Sequence, residues 1–99
     1  MTALKRREIA YIETGASKNV IFHTTARAIA NRSSLGRWEG ELAEDGFFRI
    51  HSAYLVNLAF VRSIEGTEVV LTTGERLPVS KHRRRELMAA FAAHVGVQL

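Results

Sequence analysis

Lys81, His82, Arg83, Arg84 and Arg85 form an uninterrupted basic run directly after Ser80. Ser80 reads as the N-cap of a final helix that continues to about His94. The run therefore falls where a helix dipole is already positive, and each exposed cation there costs about 0.3–1 kcal/mol at low salt. Breaking a local rule several times in succession is a mark of function. The motive would be phosphate: free backbone N–H groups and adjacent arginines together favour a phosphate anion. The competing reading is a solvated face, or arginines paired with Glu65, Glu68, Glu75 or Glu86. Arg84 is aligned with the apolar side of the helix, so its stem could instead cover Met88.

Other chemistry finds little support. The chain has no cysteine, which removes thiol redox, thiolate zinc sites and cysteine nucleophiles and suits a reducing cytosol. His23, His51, His82 and His94 lack any metal-ligand spacing, and no glycine-rich phosphate loop, nucleophile elbow or paired-carboxylate motif occurs. His51 and Ser52 are adjacent, and adjacent strand residues point to opposite faces rather than forming a dyad. No catalytic residue, metal or cofactor is expected. The formal net charge of +4 over 99 residues points instead to a polyanionic partner.

The length corresponds to one domain, 1–99 with a core of about 7–95. Met1 to Arg7 imitates the basic end of a signal peptide, yet Glu8 and Glu13 stand where an apolar run should follow, so export is not expected. No segment approaches the roughly 20 apolar residues of a membrane span. A cytoplasmic protein that does not insert into membranes is expected.

Glu8 to Thr14 reads as a strand and Asn19 to Thr25 as its return, with Thr14 to Lys18 as a polar hairpin tip. Ala26 to Asn31 is either a third strand or a helix, since alanine is a poor strand former. Ser33 or Ser34 can cap a short helix whose Leu35, Trp38 and Leu42 share one face. Trp38 is then a core residue, the alternative being a stacking platform for a base. Asp45-Gly46 marks a turn.

In Phe47 to Asn57, Phe48 and Ile50 alternate with Arg49 and His51, the period of a half-buried strand. A bend at His51 to Ala53 would expose Ser52 before Tyr54 to Val56 return to the core, and Asn57 suits a turn or cap. Val61 to Glu65, Glu68 to Thr72 and Arg76 to Val79 read as a meander about Gly66-Thr67 and Thr73 to Glu75. Pro78 requires an edge strand or a free amide side. In the last helix Leu87, Met88, Phe91 and Val95 fall within an arc of about 100° as the core stripe, with His82 nearly opposite.

The order of these segments resembles the LytTR-type DNA-binding domain of bacterial transcriptional regulators. The similarity runs from about Arg7 to Phe91 and is carried by REIAYIET, by FFRIHSAYLVNLAFVRSIE and by EVVLTTGERLPVSKHRRREL. It implies a mainly β fold, a stack of small antiparallel sheets with one short internal helix and a C-terminal helix. It further implies duplex DNA binding by loops in the major groove, commonly as part of a response regulator. By position, Asn19, Ser52 and His82 match base-contacting sites. Lys18, Arg49, His51, Lys81, Arg83, Arg84 and Arg85 would contact phosphates or shape the loops. Serine at 52 and histidine at 82 are shorter or make fewer bonds than arginine, which grips guanine twice.

The rivals are an RNA-binding module and a protein-interaction β module without catalytic activity. RNA readers expose rings for stacking, whereas Tyr11, Phe22, Phe48, Tyr54 and Phe91 sit in patterns that look buried. Double-stranded DNA is the expected partner, with a homodimer if the target is a repeat of half-sites.

Overall fold

The computed structural model describes residues 4–96. Eight strands are formed: β1 (Ile9–Thr14), β2 (Asn19–Thr24), β3 (Ala28–Arg32), β4 (Phe47–His51), β5 (Tyr54–Asn57), β6 (Val61–Glu65), β7 (Glu68–Leu71) and β8 (Arg76–Pro78). Helix α1 spans Leu35–Glu41 and helix α2 spans Arg84–Val95. The strands make two antiparallel sheets, one of five in the order β3-β2-β1-β5-β4 and one of three in the order β6-β7-β8. This is the mainly β stack with an internal and a C-terminal helix that the sequence implies.

The five-stranded sheet is the middle layer. Ile9, Ile12, Val20, Phe22, Phe47 and Leu55 pack on one face beneath Leu35 and Leu42 from α1 and its C-cap. Ile50, Val56 and Tyr11 pack on the other against Val69, Leu71, Leu77 and Leu87 from the small sheet and α2. Neighbours Leu55 and Val56 thus serve opposite cores, as strand alternation requires. The half-buried pattern expected for β4 holds only in part, because Phe47 is buried as well as Ile50. Burying each such side chain stabilises the fold by about 1.5–3 kcal/mol.

Local signals explain the element ends. The Ser34 hydroxyl accepts the Arg37 N–H and caps α1. Gly46 ends the turn after α1 at φ 81, a left-handed conformation that glycine adopts without a Cβ penalty. Buried Asn57 closes the turn after β5: its Oδ1 accepts the Ala59 N–H at 3.0 Å and its Nδ2 donates to the Ile9 carbonyl at 2.9 Å. Ala28–Arg32 is a strand despite its alanines, because the paired edge of β2 supplies its hydrogen bonds. Trp38 is a packing residue, edge-on to Phe22 and donating Nε1–H to the Ser33 hydroxyl. Pro78 lies in β8, an edge strand of the small sheet.

Two expectations fail in the last helix. Ser80 makes no side-chain cap bond, and Lys81–Arg83 form a separate 3₁₀ turn before α2 opens at Arg84. The Ser80 N–H is instead tied to the Ile50 carbonyl at 2.9 Å, which draws the chain along the edge of β4. The core stripe is also narrower than the arc suggests. Leu87 is fully buried with Ala90 and Phe91 partly covered, whereas Met88 and Val95 are 46% and 54% exposed. Met88 and Val95 line an open groove beside residues 61–64 of β6.

Tyr11 joins the two sheets. Its hydroxyl donates to Glu75 at 2.8 Å and its ring stacks on His23, which lies 2.6 Å from Glu13. Burial first, then the bond to Glu75, push the Tyr11 phenol well above its ordinary value. Folding thus favours the neutral phenol, so its contribution is complete below the unfolded value of about 10 and is lost as pH rises through the folded value. Urea midpoints should fall more steeply above about pH 10 for the wild type than for Tyr11→Phe.

Candidate nucleic-acid interface

The antiparallel pairing of β1 with β5 sets Glu13 opposite Tyr54, and the Thr14 N–H reaches the Ala53 carbonyl at 3.0 Å. The β1–β2 tip and the β4–β5 loop are therefore neighbours at one end of the sheet. The Ser80–Ile50 bond brings Lys81–Arg83 to the same end, beside β4. Adjacent strands are about 4.8 Å apart, so the two loops and the 3₁₀ turn follow one another in a short row.

In the first member, residues 16–19 make a turn closed by Asn19 N–H to the Ala16 carbonyl at 3.1 Å, with Ser17 at φ 52 and Lys18 at φ 63. Two consecutive left-handed residues are the geometry of a type I′ hairpin turn, in which Asn-Gly is favoured. A lysine here is strained by about 1–2 kcal/mol. Lys18 is exposed and Asn19 half-buried.

In the second member, Ser52 is exposed at the apex. His51 Nδ1 accepts the Ala53 N–H at 3.0 Å, which leaves the ring proton of the neutral imidazole on Nε2. Arg49 clamps the loop from below. Its Nε donates to the His51 carbonyl at 3.0 Å and its Nη2 to the Ser52 carbonyl at 2.6 Å, while Nη1 pairs with Glu39 of α1 at 2.9 Å. Within the group expected to touch phosphate or shape loops, Arg49 and His51 are occupied in shaping this loop.

In the third member, Lys81, His82 and Arg85 are exposed. Arg83 and Arg84 are half-buried; Arg83 reaches the Arg49 carbonyl at 3.4 Å, and Arg84 Nε donates to the Gly66 carbonyl at 2.7 Å. Of the four acidic partners in the competing reading, three are engaged elsewhere: Glu65 and Glu68 meet Arg76, and Glu75 meets Tyr11, while Glu86 forms no salt bridge among the described residues. A bond from Ser63 and the charge of Arg76 hold the Glu65 carboxyl below its usual range. Among the described residues, Lys18, Lys81, Arg83, Arg84 and Arg85 form no salt bridge. Their charge remains available to an external anion.

Two residues at this end escaped sequence reasoning. Arg32 is exposed at the close of β3 and is in register with Asn19. Its only signal was an arginine in the polar stretch Asn31 to Ser34, and the strand that carries it was ambiguous. Glu39 is placed by α1, whose orientation over the sheet no local pattern specifies.

Fold and row together describe a β domain that presents two loops and a basic 3₁₀ turn at one end of its larger sheet. A family model described as the LytTr DNA-binding domain matches residues 1–92, and the chain belongs to that family. A similar solved structure is the LytTr DNA-binding domain of a Bacillus cereus protein described as a methyl-accepting/DNA response regulator. It shares the fold with a TM-score of 0.75 at 22% identity, over 85% of this chain and 81% of that one. No curated protein matches the chain. No helix of the described residues is long and apolar enough to cross a membrane.

His51→Ala removes the acceptor of the Ala53 N–H and should lower unfolding free energy by about 1–2 kcal/mol. Ser52→Ala should change it by less than about 0.5 kcal/mol; chemical denaturation compares the two. Lys18→Gly relieves the left-handed strain and should raise stability by about 1 kcal/mol while weakening duplex binding, read by melting and by fluorescence anisotropy on the same sample.

Proposed function

We propose that this chain is a sequence-specific duplex DNA-binding module of a bacterial transcriptional regulator, acting in the cytoplasm through loops that enter the major groove. Residues 1–99 act as one domain with a core of about 7–95. The observation that carries the reading is the row of two loops and a 3₁₀ turn at one sheet end, where Lys18, Lys81, Arg83, Arg84 and Arg85 form no salt bridge among the described residues while Arg49, paired with Glu39, holds the middle loop. Lys18, Lys81, Arg83 and Arg85 attract phosphates and set the register, while Asn19, Ser52 and His82 reach base edges. Arg84 keeps its terminal nitrogens for phosphate while its Nε holds the Gly66 carbonyl. Arg49 and His51 keep Ser52 at the apex.

The base preference follows from the side chains. Asn19 can make two bonds to adenine, His82 normally makes one bond, and Ser52 is short and permissive. Contacts in successive grooves would favour some bending of the duplex. A target built of repeated half-sites would recruit two copies as a homodimer. Binding of this kind requires no cofactor and no catalytic group.

The RNA reading is disfavoured by the aromatics. Every described Phe, Tyr and Trp ring is buried or half-buried, and single-strand readers offer exposed rings to unpaired bases.

Selection of bound duplexes from a random pool, followed by salt titration on the winner, tests the proposal. One sequence motif should be enriched, log affinity should fall steeply with log salt, and duplex DNA should outcompete single-stranded RNA of equal length. No enriched motif, or an affinity indifferent to salt, would reject it.

A further inference from the structure

Beside the β1–β2 tip lies a cleft lined by Lys18, Asn19, Val20, Arg32, Ser34 and Leu35, among others. Cross-strand pairing of Asn19 with Arg32 sets two exposed cations, Lys18 and Arg32, around one opening. Neither forms a salt bridge among the described residues. Val20 and Leu35 are buried and give the cleft an apolar floor. The Ser34 hydroxyl accepts the Arg37 N–H at 3.2 Å, which leaves its own proton free to donate. Ser33, by contrast, already donates to Asn31 and accepts from Trp38.

We infer that this cleft is a phosphodiester site that extends the DNA footprint past the hairpin tip, with Arg32 as its principal ligand. The inference rests on the duplex-binding reading above and deepens it. A sugar–phosphate backbone matches the chemistry on both counts. Its deoxyribose can lie on the apolar floor, and its phosphate oxygens can take the planar fork of Arg32, the Lys18 ammonium and the Ser34 hydroxyl. The apolar floor displaces water and so strengthens the attraction between cation and phosphate. Arg32 presents a fixed fork from a strand end, whereas Lys18 is a point charge on a turn. Arg32 therefore fixes the position of the bound backbone more firmly than Lys18 does.

A site for backbone phosphate carries no sequence information of its own. Removing it should weaken binding to every duplex and leave the preferred sequence unchanged. Salt titrations of the full chain on its selected duplex and on an unrelated duplex provide the test, for wild type, Arg32→Gln and Ser34→Ala. Arg32→Gln should flatten the slope of log affinity against log salt by about 0.9, the value for one B-DNA phosphate, and reduce affinity for both duplexes by the same factor. Ser34→Ala should reduce affinity without altering the slope, because a neutral donor releases no counterion. Both positions are exposed, and unchanged circular dichroism would show the fold intact, with a small fall in melting temperature for Ser34→Ala from the lost α1 cap. A steep wild-type slope that Arg32→Gln does not alter would overturn the cleft while leaving duplex binding standing. A wild type that binds no duplex in a salt-dependent way would overturn both.

Discussion

The pairing of β1 with β5 is the constraint on which the molecule depends. These strands are separated by 39 residues of chain, Gly15 to Ala53, and they meet in the middle of the five-stranded sheet. Because the pairing is antiparallel, the end of β1 and the start of β5 must share one edge of the sheet. The hairpin tip and the Ser52 loop become neighbours through the backbone, where the Thr14 N–H meets the Ala53 carbonyl. Leu55 and Val56 then anchor β5 into separate cores on opposite faces. A register slip of one residue would exchange them and expose both cores at once, so the geometry of the loops is fixed by hydrophobic burial far from their tips.

Around that fixed frame the molecule divides its cations. Arg6, Arg37, Arg49 and Arg76 are neutralised by carboxylates. Apart from Arg49, those of the loop row form no salt bridge among the described residues, as is also true of Lys5, Arg7, Arg27 and Arg62, and Lys18 is held in a left-handed turn where glycine would relax. Concentrating unpaired positive charge disfavours the free protein, and strained backbone does the same. A bound polyanion relieves the charge repulsion and offsets the backbone strain, which is the pattern expected of a binding surface maintained at some cost to stability. The Glu39–Arg49 pair makes α1 part of this surface, since the same guanidinium fixes two carbonyls of the Ser52 loop.

Much of the fold was legible because its signals are local. The hairpin tip, the Ser34 cap, the turn at Asp45-Gly46 and the proline-marked edge strand each follow from a residue type at a short spacing. The exposed apex at Ser52 was readable from the polar interruption between two apolar runs. What escaped was whatever depends on partners distant in sequence. Alanines in β3 hide a strand that β2 enforces, and with it the position of Arg32 opposite Asn19. Ser80 looked like a cap, but the Ile50 carbonyl captures its N–H and splits the expected helix into a 3₁₀ turn and α2. Met88 and Val95 have the spacing of core residues, but they line an open groove beside β6 and are left outside the core.

The central claim is that one end of the five-stranded sheet faces the DNA. Titration of the isotopically labelled chain with its selected duplex, followed by backbone amide NMR, tests that claim most directly. The largest shifts should fall at 15–19, 51–53 and 81–85, with small ones at the opposite end, where Thr24–Ala28 turn from β2 into β3. Dominant shifts at Thr24–Ala28, with the three loop segments unmoved, would contradict the account.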